Sequence, residues 1–269
     1  MRYKSSLRIL SLVGILSAAA LINLGAGERW QAHDNSSSAT IDHGSWQSFL
    51  DNYVVADPSG LNRVKYRQVS TADRQKLGAY IQKLQEIPVS TYARPEQQAY
   101  WINLYNALTV ELILDALESR PALRSIKDLS RPWSRPVAEV EGHKLSLNDI
   151  EHGILRPIWK DYRIHFAVNC ASVGCPNLVQ QAFTAENTED LMEEGAQAFI
   201  NSPRGARFEG QPQDQRLVVS SIFHWYGEDF GGSEGVLEVL RAYAEGDLAE
   251  ALRDYDKGFG HDYDWSLND

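Results

Sequence analysis

Apolar residues recur along most of the chain at spacings of three and four, which is typical of helices that bury one face. This pattern predicts helices over residues 43–54, 71–85, 94–119, 146–157, 184–200, 236–243 and 247–255, and a short aromatic helix or turn over residues 220–230. The longest, residues 94–119, is apolar on two faces, so we expect it to be a central helix buried on both sides. Thr71 is the expected N-cap of the helix over residues 71–85. Thr184 or Asn187 is the expected N-cap of the helix that ends at residue 200.

Shorter stretches have the alternation of strands. Residues 137–140 and 143–145 flank a Glu-Gly turn and predict a hairpin, while residues 208–210 and 216–219 predict two further short strands. Residues 164–169 alternate with a period of two, which predicts a strand that runs into a tight loop. The expected fold is therefore α+β, with the central helix packed on a small, mostly antiparallel sheet.

The N-terminal region has the layout of an export signal. Three basic residues, Arg2, Lys4 and Arg8, precede an apolar run over residues 9–24, and small residues follow. Residues 1–27 are thus predicted to be a signal peptide or an uncleaved anchor, residues 28–42 a polar linker, and residues 43–269 one domain. The protein is expected to be exported, either periplasmic or secreted, with a tether to the inner membrane left open.

Composition narrows the range of partners. The chain of 269 residues is 43% hydrophobic and has a formal net charge of −10. An acidic chain lacks the basic surface that nucleic acids or anionic lipids require. Neither is expected as a partner, and the oligomeric state is left open.

Both cysteines of the chain, Cys170 and Cys175, lie in the loop that follows residues 164–169. A thiol in such a loop suits a nucleophile, although a disulfide or two inert thiols are the alternatives. A disulfide across so short a loop restricts the unfolded chain little, so it would be a redox-labile or resting form rather than a structural need. These thiols with His152 and His165 could also hold zinc, but their spacing is atypical, and no metal is predicted.

Two asparagines in the central helix, Asn103 and Asn106, also need an explanation because a buried amide is costly without partners. They either hold neighbouring backbone or present an amide to a substrate.

Four segments in this order resemble the domain-of-unknown-function 547 family: YWINLYNALTV, LSLNDIEHGILR, IHFAVNCASVGCP and SIFHWYGEDFGG. The resemblance spans residues 46–243. It implies a single α+β domain related in architecture to papain-like cysteine hydrolases, with a Cys/His/Glu site. Matched by motif, the thiol is Cys170, the histidine His152 and the glutamate Glu151.

Helix geometry raises a difficulty with this assignment. Neighbouring residues project about 100° apart in an α-helix, so Glu151 would point away from His152 unless the helix is distorted. Asp149, on the same face as His152, is the rival orienting carboxylate. Asn103, Asn106, Asn169 and Cys175 are the predicted substrate-binding residues, and no cofactor is expected.

The expected function is an exported papain-like thiol hydrolase or transferase that acts on a peptide or amide bond. Cys170 is the nucleophile and His152 the base, and a small peptide or a thiol peptide such as glutathione is the ligand class, by analogy. The alternative is an inactive binding module on a degenerate hydrolase scaffold. Phe223, Trp225 and Tyr226 would then form its recognition surface.

Overall fold

The computed structural model describes residues 26–211 and 214–269. Residues 1–25 of the predicted targeting segment lie outside the described residues. Within the described part of the chain, no helix is both long enough and apolar enough to cross a membrane.

Helices dominate the α+β fold. In chain order they are α1 (Ala26–Arg29), α2 (Gly44–Tyr53), α3 (Thr71–Gln85), α4 (Arg94–Ser119), α5 (Leu147–Ile150), α6 (Arg156–Trp159), α7 (Ile164–Ala167), α8 (Thr188–Ile200), α9 (Ser221–Trp225), α10 (Gly232–Tyr243) and α11 (Gly246–Leu252). Helices α3 and α4 have the predicted bounds. Their caps differ in part, because Ser70 rather than Thr71 accepts the N–H of Asp73 at the start of α3.

The strands are short and form three small sheets. They are β1 (Val54–Ala56), β2 (Asn62–Val64), β3 (Ala138–Val140), β4 (His143–Leu145), β5 (Ala206–Glu209), β6 (Arg216–Ser220) and β7 (Gly260–Asp262). Strands β1–β2, β3–β4 and β5–β6 pair antiparallel, with Val140 opposite His143 at the predicted hairpin turn. Strand β7 adds to β6 in parallel.

Helix α4 is the central helix, as predicted. Pro95 lies in its first turn, where a missing N–H costs nothing, and the helix is buried almost continuously from Glu96 to Leu114. Its neighbours are helices α3, α5 and α8, the 3₁₀ turn Tyr66–Gln68 and the segment Glu151–Leu155. The expectation that it packs on a sheet was therefore wrong, because the strands are too short to cover a helix of 26 residues.

Residues 164–169 do not form the predicted strand. Ile164–Ala167 is the short helix α7, and extended chain follows it. All six residues are buried, because α7 lies between two apolar clusters: Phe166 packs in one, Ile164 and Ala167 in the other. The apparent alternation therefore did not separate a buried face from a solvent face.

The helix that begins after Ser146 is longer than predicted and irregular. Ser146 and Asp149 form a reciprocal capping box at its start. Residues Glu151–Leu155 are π-helical, with the N–H of Arg156 bonded to the carbonyl of Glu151. The chain then continues as α6, and Pro157 lies in the first turn of that helix instead of ending the element.

The predicted linker, residues 28–42, lies against the domain. Trp30 is buried and its ring meets that of Trp101 edge to face at 5.0 Å. Further along, Ile41 is buried and its N–H donates to the carboxylate of Glu96. Both contacts attach this polar segment to the start of α4.

Candidate functional site

Asparagine side chains fasten the cysteine loop at both ends. Asn106 donates to the carbonyl of Ala167 at 2.9 Å and accepts the N–H of Asn169 at 2.8 Å. The amide of Asn169 donates to the carbonyl of Pro176 at 2.7 Å and accepts the N–H of Ala171 at 2.9 Å. Since buried backbone groups need partners, these side chains supply the bonds that a strand would have made.

The backbone turns sharply directly after Cys170. Ala171 has φ 62°, in the left-handed region that a residue with a Cβ adopts at a cost of about 1–2 kcal/mol. Its carbonyl accepts the N–H of Asn268 from the C-terminal tail. Residues held in such conformations cluster at functional sites, and here the strain adjoins the candidate nucleophile.

The thiol of Cys170 is surrounded by donors that favour its ionised form. Its Sγ lies 2.9 Å from Oγ of Ser172 and 3.0 Å from the hydroxyl of Tyr263, and these two oxygens are 3.0 Å apart. A hydrogen bond from the Cys175 thiol, followed by those from Ser172 and Tyr263, outweighs burial and lowers the pKa of Cys170 to about 7. No imidazole is needed for this shift.

Cys175 has the opposite character. Its side chain is buried, and burial raises its thiol pKa well above the usual value. Its sulfur accepts the backbone N–H of Cys170 at 3.0 Å. Both cysteines are free thiols in the structure, so one accessible, acidic thiol lies beside one buried, weakly acidic thiol.

Both thiols line a cavity of about 240 Å³ whose walls are largely aromatic. The aromatic lining residues are Tyr105, Trp133, Trp225, Tyr226, Tyr263 and Trp265. The ring of Trp265 lies 4.5 Å from that of Tyr263 and 5.4 Å from that of Trp225. Trp225 is 44% exposed, which is unusual for so large an apolar side chain and places it at the rim.

The π-helical segment resolves the geometric difficulty with Glu151 and His152. Both residues line the cavity, and the segment that carries them is π-helical rather than regularly α-helical. Oε2 of Glu151 accepts the hydroxyl of Tyr105 at 3.0 Å. Oε1 lies 3.8 Å from Nδ1 of His152 and 3.9 Å from Nδ1 of His165. The carboxylate thus lies between two imidazoles.

His152 faces a guanidinium on one side. Nη1 of Arg156 is 3.1 Å from Nδ1 of His152, and an arginine can only donate. Nδ1 therefore accepts, and the neutral ring carries its proton on Nε2. Burial, together with Arg156, lowers the pKa of His152 despite the neighbouring Glu151. His152 is accordingly a neutral hydrogen-bond donor in this arrangement.

His165 and Asp229 form a hydrogen-bonded pair beside the cavity. Nε2 of His165 is 2.7 Å from Oδ2 of Asp229, and its ring stacks on Tyr226 at 4.3 Å. Arg156 binds the same carboxylate through two bonds of 2.6 and 2.9 Å. The bonds from His165 and then Arg156 hold the pKa of Asp229 far below its usual value.

The structure brings together four of the residues predicted from the sequence: Glu151, His152, Cys170 and Cys175. Among the described residues, no hydrogen bond joins His152 to Cys170. Asp149 is engaged in the capping box of α5, so it does not orient His152.

Asn103, Asn106 and Asn169, predicted to bind substrate, are buried and bonded to backbone. Asn103 donates to the carbonyl of Phe183 at 2.7 Å and accepts its N–H at 3.0 Å. In the structure each amide holds neighbouring backbone, which is the first of the two roles considered for Asn103 and Asn106. Across residues 26–211 and 214–269, no three His, Cys, Asp or Glu side chains are grouped to hold a metal ion.

Sequence reasoning missed several residues of the site: Tyr105, Ser172, Asp229, Tyr263 and Trp265. Ser172 and Asp229 lie inside the segments that carry the family resemblance, so those segments could have indicated them. Tyr263 and Trp265 come from the tail, where only the density of aromatic residues was a signal.

The family model described as "Protein of unknown function, DUF547" matches residues 89–200. This range contains α4, the Glu151–His152 pair and both cysteines, and the match supports the family resemblance. No curated protein and no solved structure matches the chain. The papain-like architecture expected from the resemblance is therefore without support from a known structure.

Proposed function

We propose that the protein is a thiol-dependent hydrolase or transferase that acts on a peptide or amide bond of a small substrate. The observation that carries this proposal is the thiol of Cys170. It lies in an aromatic cavity beside two hydroxyl groups, in the same cavity as a Glu–His cluster. The predicted N-terminal signal makes export part of the proposal.

The thiol needs no separate base in this scheme. With a pKa of about 7, a large fraction of Cys170 is ionised near neutral pH. The thiolate attacks the carbonyl carbon, a C–S bond forms, and the carbonyl π electrons move to oxygen. When the tetrahedral species collapses, the C–N bond breaks, and the leaving amine takes a proton from water.

His152 then acts as a donor rather than as the base expected from the sequence. A neutral imidazole with its proton on Nε2 can stabilise a developing oxyanion. Water, or a second amine or thiol, finally attacks the thioester and releases the acyl group. Water gives hydrolysis and the other nucleophiles give transfer.

The first test is the rate of iodoacetamide alkylation of Cys170 against pH, measured by mass spectrometry on reduced protein. We expect a midpoint near pH 7 in the wild type, and little change of that midpoint in His152→Ala. A midpoint at the ordinary thiol value of about 8.5 would contradict the proposal.

The second test is the trapping of an acyl-enzyme. A panel of small acyl coumarin amides is mixed with the protein, and the intact mass is recorded after acid quench. We expect an acyl adduct on the wild type that Cys170→Ala lacks. His152→Ala should keep the alkylation midpoint but form the adduct at least tenfold more slowly, since one oxyanion donor typically contributes this much or more.

A binding module remains the alternative, and the exposed ring of Trp225 at the cavity rim favours it. Such a module needs an aromatic cavity but no acidic thiol. Ordinary thiol reactivity, no acyl adduct and tight binding of a peptide would together establish it.

A further inference from the structure

The two cysteines lie close together at the cavity, although the proposed acyl transfer does not require a second thiol. The backbone N–H of Cys170 donates to the sulfur of Cys175 at 3.0 Å, and both residues line the same cavity. Acyl transfer uses only Cys170. The thiol of Cys175 also hydrogen-bonds the thiol of Cys170, so its buried sulfur is placed as a partner for a sulfur bound to Cys170.

We propose that Cys170 and Cys175 are the attacking and resolving thiols of a site that exchanges with small disulfides. Cys170 is partly exposed, while Cys175 is 4% exposed. A small disulfide that enters the cavity therefore meets Cys170 first. The thiol acidities agree with this order, since the pKa is lowered at Cys170 and raised at Cys175.

The exchange takes place in two balanced steps. The thiolate of Cys170 attacks one sulfur of a disulfide RSSR, forms a mixed disulfide and expels RS⁻. The thiol of Cys175 gives its proton to that RS⁻, and its sulfur then attacks the sulfur of Cys170 and expels the second RS⁻, which takes a proton from water. Two protein thiols are oxidised to one disulfide, and RSSR is reduced to two thiols.

Side-chain hydrogen bonds to the backbone hold the loop that carries the two thiols. Its ends are bridged by Asn169, which bonds the carbonyl of Pro176 at 2.7 Å. Arg204 bonds the carbonyls of Val173 and Cys175 at 3.0 and 2.5 Å. Because the ring closed by this disulfide is short, the disulfide constrains the unfolded chain little, so it is readily reversed by an added thiol.

The oxidised form has no free nucleophile at residue 170. Exchange with a disulfide would thus stop the proposed acyl chemistry until a thiol reduces the pair. The exchange itself does not depend on the acyl chemistry, and the two proposals can fail separately.

The test uses bis(2-hydroxyethyl) disulfide as the probe and intact-mass spectrometry as the readout. We expect the wild type to lose two hydrogens and to yield one peptide linked through both cysteines, reversibly with dithiothreitol. Cys175→Ser should stop at the mixed disulfide on Cys170. Cys170→Ser should not react, since the remaining thiol is buried.

A stable mixed disulfide on the wild type would overturn the proposal, as would reaction at Cys175 alone. Cys175→Ser keeps a hydroxyl donor beside Cys170, so iodoacetamide alkylation checks in the same sample that the attacking thiol is intact. Alkylation near pH 7 without an internal disulfide refutes only the exchange. An internal disulfide without any acyl adduct refutes only the amide chemistry.

Discussion

The Cys175 thiol and, after it, two hydroxyl groups lower the pKa of Cys170, a role that an imidazole has in many thiol enzymes. Ser172 and Tyr263 both contact its sulfur. A hydrogen bond to a charged group contributes about 1.5–3 kcal/mol, and one pKa unit corresponds to about 1.4 kcal/mol. Each hydroxyl is therefore expected to lower the pKa of the Cys170 thiol by about one unit or more.

Tyr263→Phe should raise the alkylation midpoint of Cys170 by about one pH unit, because one donor to the thiolate is lost. At pH 7 the alkylation rate should fall about fivefold. The control is Tyr255→Phe, whose hydroxyl bonds the carbonyl of Gly258 instead. Equal midpoints in the two variants would show that Tyr263 does not stabilise the thiolate.

Residues of the candidate site could be predicted from the sequence where they lie in a recognisable motif. Cys170, His152 and Glu151 lie in segments with a recognisable order, and all three line the cavity. Tyr263 could not be found in this way, because its contact with Cys170 joins residues 93 positions apart. No sequence pattern in the tail indicates that contact.

Helix α4 supports the site through Asn103 and Asn106. Substituting each in turn distinguishes an effect on stability from an effect on the thiol. Asn106→Ala and Asn103→Ala each leave a buried N–H and a buried carbonyl without partners. Each should therefore lower the free energy of unfolding by about 2–4 kcal/mol in urea titrations.

Only Asn106→Ala should also change the thiol, because Asn106 holds the chain directly before Cys170, whereas Asn103 holds Phe183. We expect a displaced alkylation midpoint in the first variant and the wild-type midpoint in the second. The same midpoint in both would show that the loop keeps its geometry without Asn106.

Strand β7 is followed by tail residues that lie tightly on the cysteine loop. A Cβ added at Gly174 would come within 2.8 Å of the backbone of Asp264 and 2.9 Å of the ring of Tyr263. Gly174→Ala should therefore push the tail away, cost about 1–3 kcal/mol of stability and raise the alkylation midpoint.

Gly153→Ala is the matched control for this change, since nothing lies within 4 Å of a Cβ at Gly153. It should leave the midpoint unchanged. A wild-type midpoint in Gly174→Ala as well, measured with the same alkylation series, would mean that the tail can move without releasing Tyr263.

Helices could be predicted from the sequence where their apolar repeat extends over several turns. Helices α3 and α4 repeat their apolar positions over four and seven turns, so their bounds followed from the pattern. Helix α7 has only four residues, and such a run fits a strand as well as a helix. The π-helical turn at Glu151 depends on packing against α4 and left no local pattern.

On the scale of the whole molecule, acid stability should depend on a histidine far from the cavity. His43 is buried, its Nδ1 lies 2.6 Å from the hydroxyl of Tyr80, and its Nε2 has no partner among the described residues. Burial lowers its pKa to about 4. The folded protein therefore holds His43 neutral at pH values where the unfolded chain, with a pKa near 6.5, protonates it.

Because the unfolded state binds the additional proton, stability from this group is complete above pH 6.5 and is lost as the pH falls towards 4. The loss should be about 3 kcal/mol. Urea unfolding between pH 4 and pH 7.5 tests this: the difference in free energy between wild type and His43→Gln should shrink by that amount on acidification. His33→Gln, at an exposed position, should follow the wild type, and a pH-independent difference for His43→Gln would contradict the assignment.

The tail joins distant parts of the molecule. Asn268 accepts the N–H of Val64 and the hydroxyl of Tyr66, while Ser266 and Asp264 accept the N–H groups of Val173 and Gly174. The family match ends at residue 200, so it includes the thiol but not the tail hydroxyl that acidifies it.

Because the thiol and its tyrosine donor are far apart in the sequence, the site is completed in a fixed order during synthesis. A ribosome makes Cys170 well before Tyr263, which follows it by 93 residues. Before Tyr263 is made and packed, the thiol has only the donors from Cys175 and Ser172, so its pKa stays closer to that of an ordinary cysteine. The thiol thus reaches its full acidity only after Tyr263 has packed on the cysteine loop.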